Sequence, residues 1–156
     1  MVHVLIRKSK KSNAAKIARL YYDTVHIINA QDYTEQQINA WAPRVYEAAF
    51  WRRRFQNYTV FVAEAAGDVV GFAEFEITGH IDCFYVHHEW QRQNIGAQLL
   101  KRIEATARKK RISRLFAEVS ITAMPFFKKM GFIVVRRRKK FYRNCSFMQV
   151  FMEKRV

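Results

Sequence analysis

The chain has little cysteine, little acid and no long apolar run. Its two cysteines, Cys83 and Cys145, match no metal-ligand spacing. Cys83 sits inside a strand-like run, which favours a buried free thiol over a disulfide. No apolar segment approaches the length of a membrane span, and no secretory signal pattern opens the chain. A cytoplasmic protein without a membrane partner is therefore expected. Internal repeats and linker-like stretches are also missing, so residues 1–156 read as a single domain. Acidic residues number 13 against 28 Lys and Arg, a formal net charge of +15.

What the chain does have is apolar content for a core. Hydrophobic residues make up 50% of it and aromatics 15%, which excludes a disordered chain. Much of the positive charge lies in Arg52–Arg54, Arg108–Arg111 and Arg136–Lys140. Such charge draws anionic partners from a distance, nucleic acid among them. None of these clusters carries the interleaved aromatics of a single-strand groove, so nucleic-acid binding is the less favoured partner. Most of these side chains read as a solvated face.

The hydrophobic periods predict an α/β domain in the order β-α-α-β-β-β-α-β-α-β-β. A strand is expected over 2–7. A helix capped by Ser12 follows, running to about Asn29 with Ile17, Leu20, Tyr21, Val25 and Ile28 on one face. Thr34-Glu35-Gln36-Gln37 is a capping box that opens a short helix through Trp41. Residues 45–53 suit a further helical turn or two. Runs 59–65 and 69–77 read as a hairpin about Gly67-Asp68, and 80–86 as the next strand. A helix is expected over 94–109 with Ile95, Leu99, Leu100, Ile103 and Ala107 buried. Strand 114–119, helix 123–130 and strands 132–138 and 146–153 complete the chain.

The most telling stretch runs from Val86 to Leu100. A strand ends at Val86, a turn carries Asn94 and Gly96, and a helix begins. Unpaired backbone N–H groups at that helix start, together with the helix dipole, make an anion site. The spacing Gln91-x-x-Asn94-x-Gly96 resembles the pyrophosphate loop Q/R-x-x-G-x-G/A of the GCN5-related N-acetyltransferases, the GNAT superfamily. Asn94 replaces the first glycine, and Asn visits left-handed backbone angles readily. Residues Ser120 to Phe132 resemble the family's A-x-x-F-Y-x-K-x-G-F segment. Asn29 through Asp32-Tyr33, with Gln37 to Trp41-Ala42-Pro43, resembles the bacterial YafP-like subgroup.

The resemblance implies the GNAT fold, a mixed central sheet with flanking helices. It implies direct transfer of an acetyl group from acetyl-CoA to a primary amine, with no metal. A small-molecule amine is the expected acceptor. A protein Lys or N-terminus, or a non-catalytic nucleic-acid-binding module, are the alternatives. Dimers are common in the family, which admits a homodimer here. The implied cofactor residues are Tyr85, Val86, Gln91, Arg92, Gln93, Asn94, Ile95, Gly96, Ala97, Ser120, Phe127 and Lys129, with part of the Arg108–Arg111 cluster near the phosphates.

An amine acceptor must lose a proton, and His80 falls where histone-type members carry a catalytic Glu. His80 and Asp82 together fall where serotonin N-acetyltransferase carries two histidines. Strand alternation predicts that His80 and Asp82 share a face with Phe84 and Val86, and that Asp82 orients His80. An imidazole titrates near neutrality, which suits a base. Glu74, and Glu76 on the same face, are rival bases. Where many members carry a Tyr that protonates the leaving thiolate, this chain has Phe127, leaving Ser120, Tyr142 or water. His26, Asn29, Asp32, Tyr33 and Trp41 are the candidate acceptor contacts.

Overall fold

The computed structural model describes residues 2–156. Its elements are β1 (Leu5–Lys8), α1 (Ala14–Ile27), α2 (Glu35–Trp41), α3 (Ala48–Asn57), β2 (Thr59–Ala65), β3 (Asp68–Phe75), β4 (Ile81–Val86), α4 (Ile95–Lys109), β5 (Arg114–Val119), α5 (Met124–Lys129), β6 (Ile133–Tyr142) and β7 (Cys145–Arg155). Most differences from the sequence reading lie at turns and caps. The helical turn or two expected over 45–53 is instead a full helix displaced to Ala48–Asn57, α3. Asn13, not Ser12, closes the turn before α1: its side-chain oxygen accepts from the Lys10 N–H at 2.7 Å. Ala66 and Gly67 take left-handed angles (φ 52° and 79°), so the hairpin turns one residue earlier than expected and Asp68 opens β3. The final hairpin is longer than its apolar pattern, because Arg143 and Asn144 (φ 49° and 63°) form its two-residue turn. The Thr34 capping box forms as expected, Thr34 Oγ1 accepting from Gln37 N–H at 3.1 Å.

The strands form two antiparallel sheets, β1-β2-β3-β4 and β5-β7-β6. One parallel bridge, His80 to Phe116, joins them, with Phe116 N–H donating to Gly79 O at 3.0 Å. Beyond that bridge β4 and β5 part, and the sheet opens as a wedge. Gly79 sits at the apex with φ +95°, and a Cβ there would stand 2.0 Å from Arg114 O. Only glycine lets the strands come this close.

Both faces of the sheet are covered. α4 brings Ile95, Leu99, Leu100 and Ile103 against Phe61, Ala73, Leu115 and Val119, the buried stripe its period predicts. α1 and α3 cover the other face, where Ile17, Leu20 and Trp51 pack on Val62 and Phe72. Pinned from both sides, the sheet holds the mouth of the wedge in a fixed geometry.

Candidate active site

The loop after β4 is built to present backbone donors. Gln91 Nε2 ties it back to the end of the strand, donating to Val86 O at 2.6 Å. Arg92 and Asn94 take left-handed angles (φ 60° and 65°), and Asn94 caps α4. Asn is one of the few side chains that tolerates this conformation, so the turn forms without the expected glycine. The first back-bond into the helix is Gln98 N–H to Asn94 O at 3.2 Å. The N–H groups of Ile95, Gly96 and Ala97 precede it and have no intrahelical partner. Gly96 is needed for room rather than for its backbone angle. It is not among the positive-φ residues, and a Cβ on it would meet Phe126 Cε1 at 3.0 Å.

This loop forms one wall of a cleft of about 780 Å³ that runs into the wedge. Tyr85, Val86, Gln91, Arg92, Asn94, Ile95, Gly96, Ala97, Ser120, Phe127 and Lys129 all line it; Gln93 faces away. Arg92 and Lys129 bring positive charge to the wall. Thr122 adds a hydroxyl that is buried and has no hydrogen-bond partner. Unpaired donors, cations and a free hydroxyl around a deep slot fit a long polyanionic ligand. The Arg108–Arg111 cluster does not belong here. The 15-residue α4 carries it to the opposite end, about 20 Å from the loop.

A second cleft, of about 490 Å³, lies against α1, α2, α3 and the β6–β7 hairpin. It meets the first at Trp41, Asp82, Tyr85, Glu118 and Ser120, which line both. Of the expected acceptor contacts, Tyr33 and Trp41 line this second cleft and Asn29 lines the first. His26 and Asp32 line neither. His26 is spent on structure, its Nε2 2.7 Å from Ala42 O and its ring stacked on Tyr22. Asp32 lies on the exposed side of the turn before Tyr33. Tyr33 is held in the wall of the second cleft: its hydroxyl accepts from Ile121 N–H at 3.0 Å, and burial raises its pKa.

Strict alternation does not hold along β4. Ala73 pairs with Phe84 but Phe75 pairs with Ile81, so β4 has an extra residue across from Glu74. Ile81 and Phe84, three apart, consequently enter the same core. Asp82 and Cys83 turn instead to the acceptor cleft. His80 is on that side too, stacked on Phe116. Val86 is on the other, packed with the α4 core, so His80 and Asp82 do not share its face.

The charges at the meeting of the clefts fall into two knots. In the first, the His80 ring is clamped between carboxylates, Nδ1 2.6 Å from Glu76 and Nε2 2.5 Å from Glu118. Burial pulls its pKa down, but the bonds to Glu118 and Glu76 outweigh that and raise it above 6.5. Asp82, expected to orient His80, is taken by Arg54 in the second knot. Arg54 also binds Glu74, Nη2 to Oε1 at 2.7 Å and Nε to both carboxylate oxygens at 2.9 Å. Glu74 is 0% exposed and lines neither cleft, which removes it from reach of a substrate.

Glu74, Asp82 and Cys83 place ligand atoms within 4.8 Å of one another, and so do His87, His88 and Glu89. In the first group the Arg54 guanidinium bridges the two carboxylates. Arg54→Met leaves Glu74 buried and unpaired. It is expected to destabilise the fold by about 3–5 kcal/mol, with Glu74→Gln in the same chain restoring part of the loss. Denaturant unfolding of the single and double variants checks this.

Several residues here escaped sequence reading. Glu118 had one signal, a lone carboxylate in the apolar strand Leu-Phe-Ala-Glu-Val. Arg54 was indistinguishable from its neighbours in a run of three arginines. Tyr21, Tyr46, Phe50, Trp51 and Phe147 line the acceptor cleft from four different elements and turns, a convergence that no local pattern encodes; Tyr142, a candidate thiolate donor, lines it too.

A sheet parted between its central strands β4 and β5, with an anion-binding helix start beside the gap, is the architecture of an acyltransferase. The chain belongs to the GNAT acetyltransferase family, whose domain description, acetyltransferase (GNAT) domain, matches residues 29–155. It is 29% identical over 152 residues to YafP, an uncharacterised N-acetyltransferase of Escherichia coli strain K12, covering 97% of this chain and 96% of that one. A GCN5-related N-acetyltransferase from Rhodopseudomonas palustris superposes with a TM-score of 0.91 at 26% identity, covering 97% and 95% of the two chains. The PaiA N-acetyltransferase of Thermoplasma acidophilum, solved in complex with coenzyme A, superposes with a TM-score of 0.81 at 20% identity over 99% of each chain. The protein is accordingly an N-acetyltransferase-class enzyme with the GNAT fold. No helix among the described residues is long and apolar enough to cross a membrane.

Proposed function

We propose that residues 1–156 act as one cytoplasmic catalytic domain, able to form a homodimer, that moves an acetyl group directly from acetyl-CoA to the primary amine of a small molecule. The observation that carries this reading is the junction of the two clefts. A thioester entering along the loop and an amine entering past the aromatic walls meet at Asp82, Tyr85, Glu118 and Ser120. Neither has to leave its own cleft. The acceptor side is lined by aromatic side chains of α1, α2, α3 and the β6–β7 hairpin that converge on the junction, which supports a small flat acceptor over a protein chain. The coenzyme A bound to the Thermoplasma relative supports the cosubstrate.

In this reading the pyrophosphate lies on the N–H groups from Arg92 to Ala97, beside Arg92 and Lys129. The thioester carbonyl reaches the open edge of β4. His87 N–H bonds across to Val70 O at 2.8 Å, and donors alternate along a strand. Val86 N–H therefore points the other way, into the wedge, where it stabilises the tetrahedral oxyanion. The attacking amine gives its proton to His80 by way of Glu118, which stands at the junction and holds His80 Nε2 at 2.5 Å. Phe127 has no hydroxyl for the leaving thiolate and is buried against Phe84, Phe126 and Phe132. Ser120 and Tyr85 stand at the junction with hydroxyls, and burial holds that of Tyr85 in its protonated form. No step calls for a metal.

The test is a screen of small amines for acetyl-CoA-dependent release of CoA thiol. Release with a small amine, and none with peptides bearing Lys or a free N-terminus, is the expected result. Turnover of peptides alone, or salt-sensitive DNA binding without affinity for acetyl-CoA, would overturn it. Added salt is expected to weaken acetyl-CoA binding. The double variant Arg92→Gln/Lys129→Gln should bind more weakly and respond less to salt, as read by calorimetric titration across an ionic-strength series. Neutralising Arg108–Arg111 should leave that salt response unchanged.

A further inference from the structure

The acceptor cleft is charged in opposite senses at its two ends. At the inner end, Arg54 and His80 face the carboxylates of Glu74, Glu76, Asp82 and Glu118. Even with His80 charged, two cations against four anions leave a surplus of two negative charges at this end. At the outer end Arg138 and Lys140 of β6 line the cleft. Neither has a carboxylate within ion-pair distance among the described residues. Arg138 has only a 3.5 Å bond to the Gln149 amide and the face of Phe151.

The sheet register fixes where these ends lie. Glu118 pairs with Phe151, Arg138 with Gln149, and Lys140 with Phe147. Residues 147, 149 and 151 alternate onto one face of β7, so all of these side chains rise on the same side. Glu118 and Arg138 stand two strands apart and one pleat repeat along, about 12 Å between Cα atoms. Arg137 alternates to the opposite face, where its Nη2 reaches Met124 Sδ at 3.9 Å. Between the charged ends the walls are aromatic. Tyr33 and Phe147 stand around Trp41, with ring centroids 5.3 and 6.2 Å from it.

Building on the small-amine reading above, we propose that the acceptor is a primary amine on a flat apolar body that carries a carboxylate remote from the amine. Its ammonium group sits against Asp82 and Glu118, where the proton is lost and the acetyl group received. Its ring lies along Trp41 and Phe147. Its carboxylate pairs with Arg138 and Lys140. The two cations that the sequence presents as part of a solvated run are thus split from Arg137 by the pleat and turned to substrate recognition.

Three amines test this by CoA release: phenethylamine, phenylalanine and 4-(2-aminoethyl)benzoate. The benzoate should exceed phenethylamine in kcat/KM by about tenfold or more, the usual worth of a charge-assisted bond. It should also exceed phenylalanine, whose carboxylate would face the acidic end. Arg138→Gln/Lys140→Gln should bring the benzoate-to-phenethylamine ratio close to one, and Arg137→Gln should leave it alone. Equal use of all three amines overturns the charge assignment while leaving small-amine acetylation standing. So does a ratio lowered as much by Arg137→Gln as by the double variant. If none of the three is turned over, the proposal fails; if a wide amine screen also releases no CoA, the small-amine reading fails with it.

Discussion

Gly96→Val is expected to weaken acetyl-CoA binding by about 100-fold, the equivalent of losing two charge-assisted hydrogen bonds. The reason is steric. A Cβ at position 96 already meets the Phe126 ring at 3.0 Å, and the branches of valine have nowhere to go but toward the loop donors. Phe126 must move or the helix start must lift, and either shift misaligns the N–H groups of Ile95, Gly96 and Ala97. Since Gly96 has no positive φ, backbone strain makes no contribution. That separates this account from one based on turn geometry. Gly96→Ala should be intermediate, and Phe126→Leu in the same chain should recover affinity by making room. Calorimetric titration, on variants whose thermal unfolding shows a folded chain, reads the effect. Unchanged affinity in folded Gly96→Val would remove the pyrophosphate from this loop.

The features legible in the sequence were those encoded within one element. Strand β5 and the buried stripe of α4 follow directly from periodicity, and the Thr34 box and the Asn94 turn follow from local backbone chemistry. β4 shows where this stops. Reading period 2 from His80 to Val86 puts His80, Asp82, Phe84 and Val86 on one face. One extra residue opposite Glu74 breaks that, and nothing in Ile-Asp-Cys-Phe-Tyr-Val announces it. A bulge is set by the partner strand and the packing on both faces, not by the strand's own pattern. The same limit applies to charge. Arg52, Arg53 and Arg54 look alike in sequence, yet only Arg54 meets Glu74 and Asp82. Its fate was decided by strand β3, twenty residues on. Glu118 was hidden for a related reason: its partner His80 reaches it only because Gly79 lets two distant strands touch.

That contact sets the last prediction. His80→Ala is expected to lower kcat by about 100-fold or more, the usual contribution of a positioned base, with little change in acetyl-CoA affinity. The pH profile separates a proton-transfer role from a packing one. His80 must be neutral to accept a proton, and its two carboxylate partners raise its pKa above 6.5. Activity should therefore rise with pH through an acidic limb lying above 6.5. Glu118→Gln removes the partner that raises this pKa most, so its limb should move to lower pH. Asp82→Asn should shift the limb less, since Asp82 acts on His80 only through space and is bound to Arg54. Stability runs in the opposite sense. The clamp on imidazolium stabilises the fold fully below the unfolded value of about 6.5, and this is lost as pH rises through the folded-state pKa. The enzyme should thus gain activity over the same pH range in which it loses this part of its stability. If His80→Ala keeps near-normal kcat with an unmoved acidic limb while Glu118→Gln loses both, the proton goes directly to Glu118. His80 would then be a positioning residue for that carboxylate.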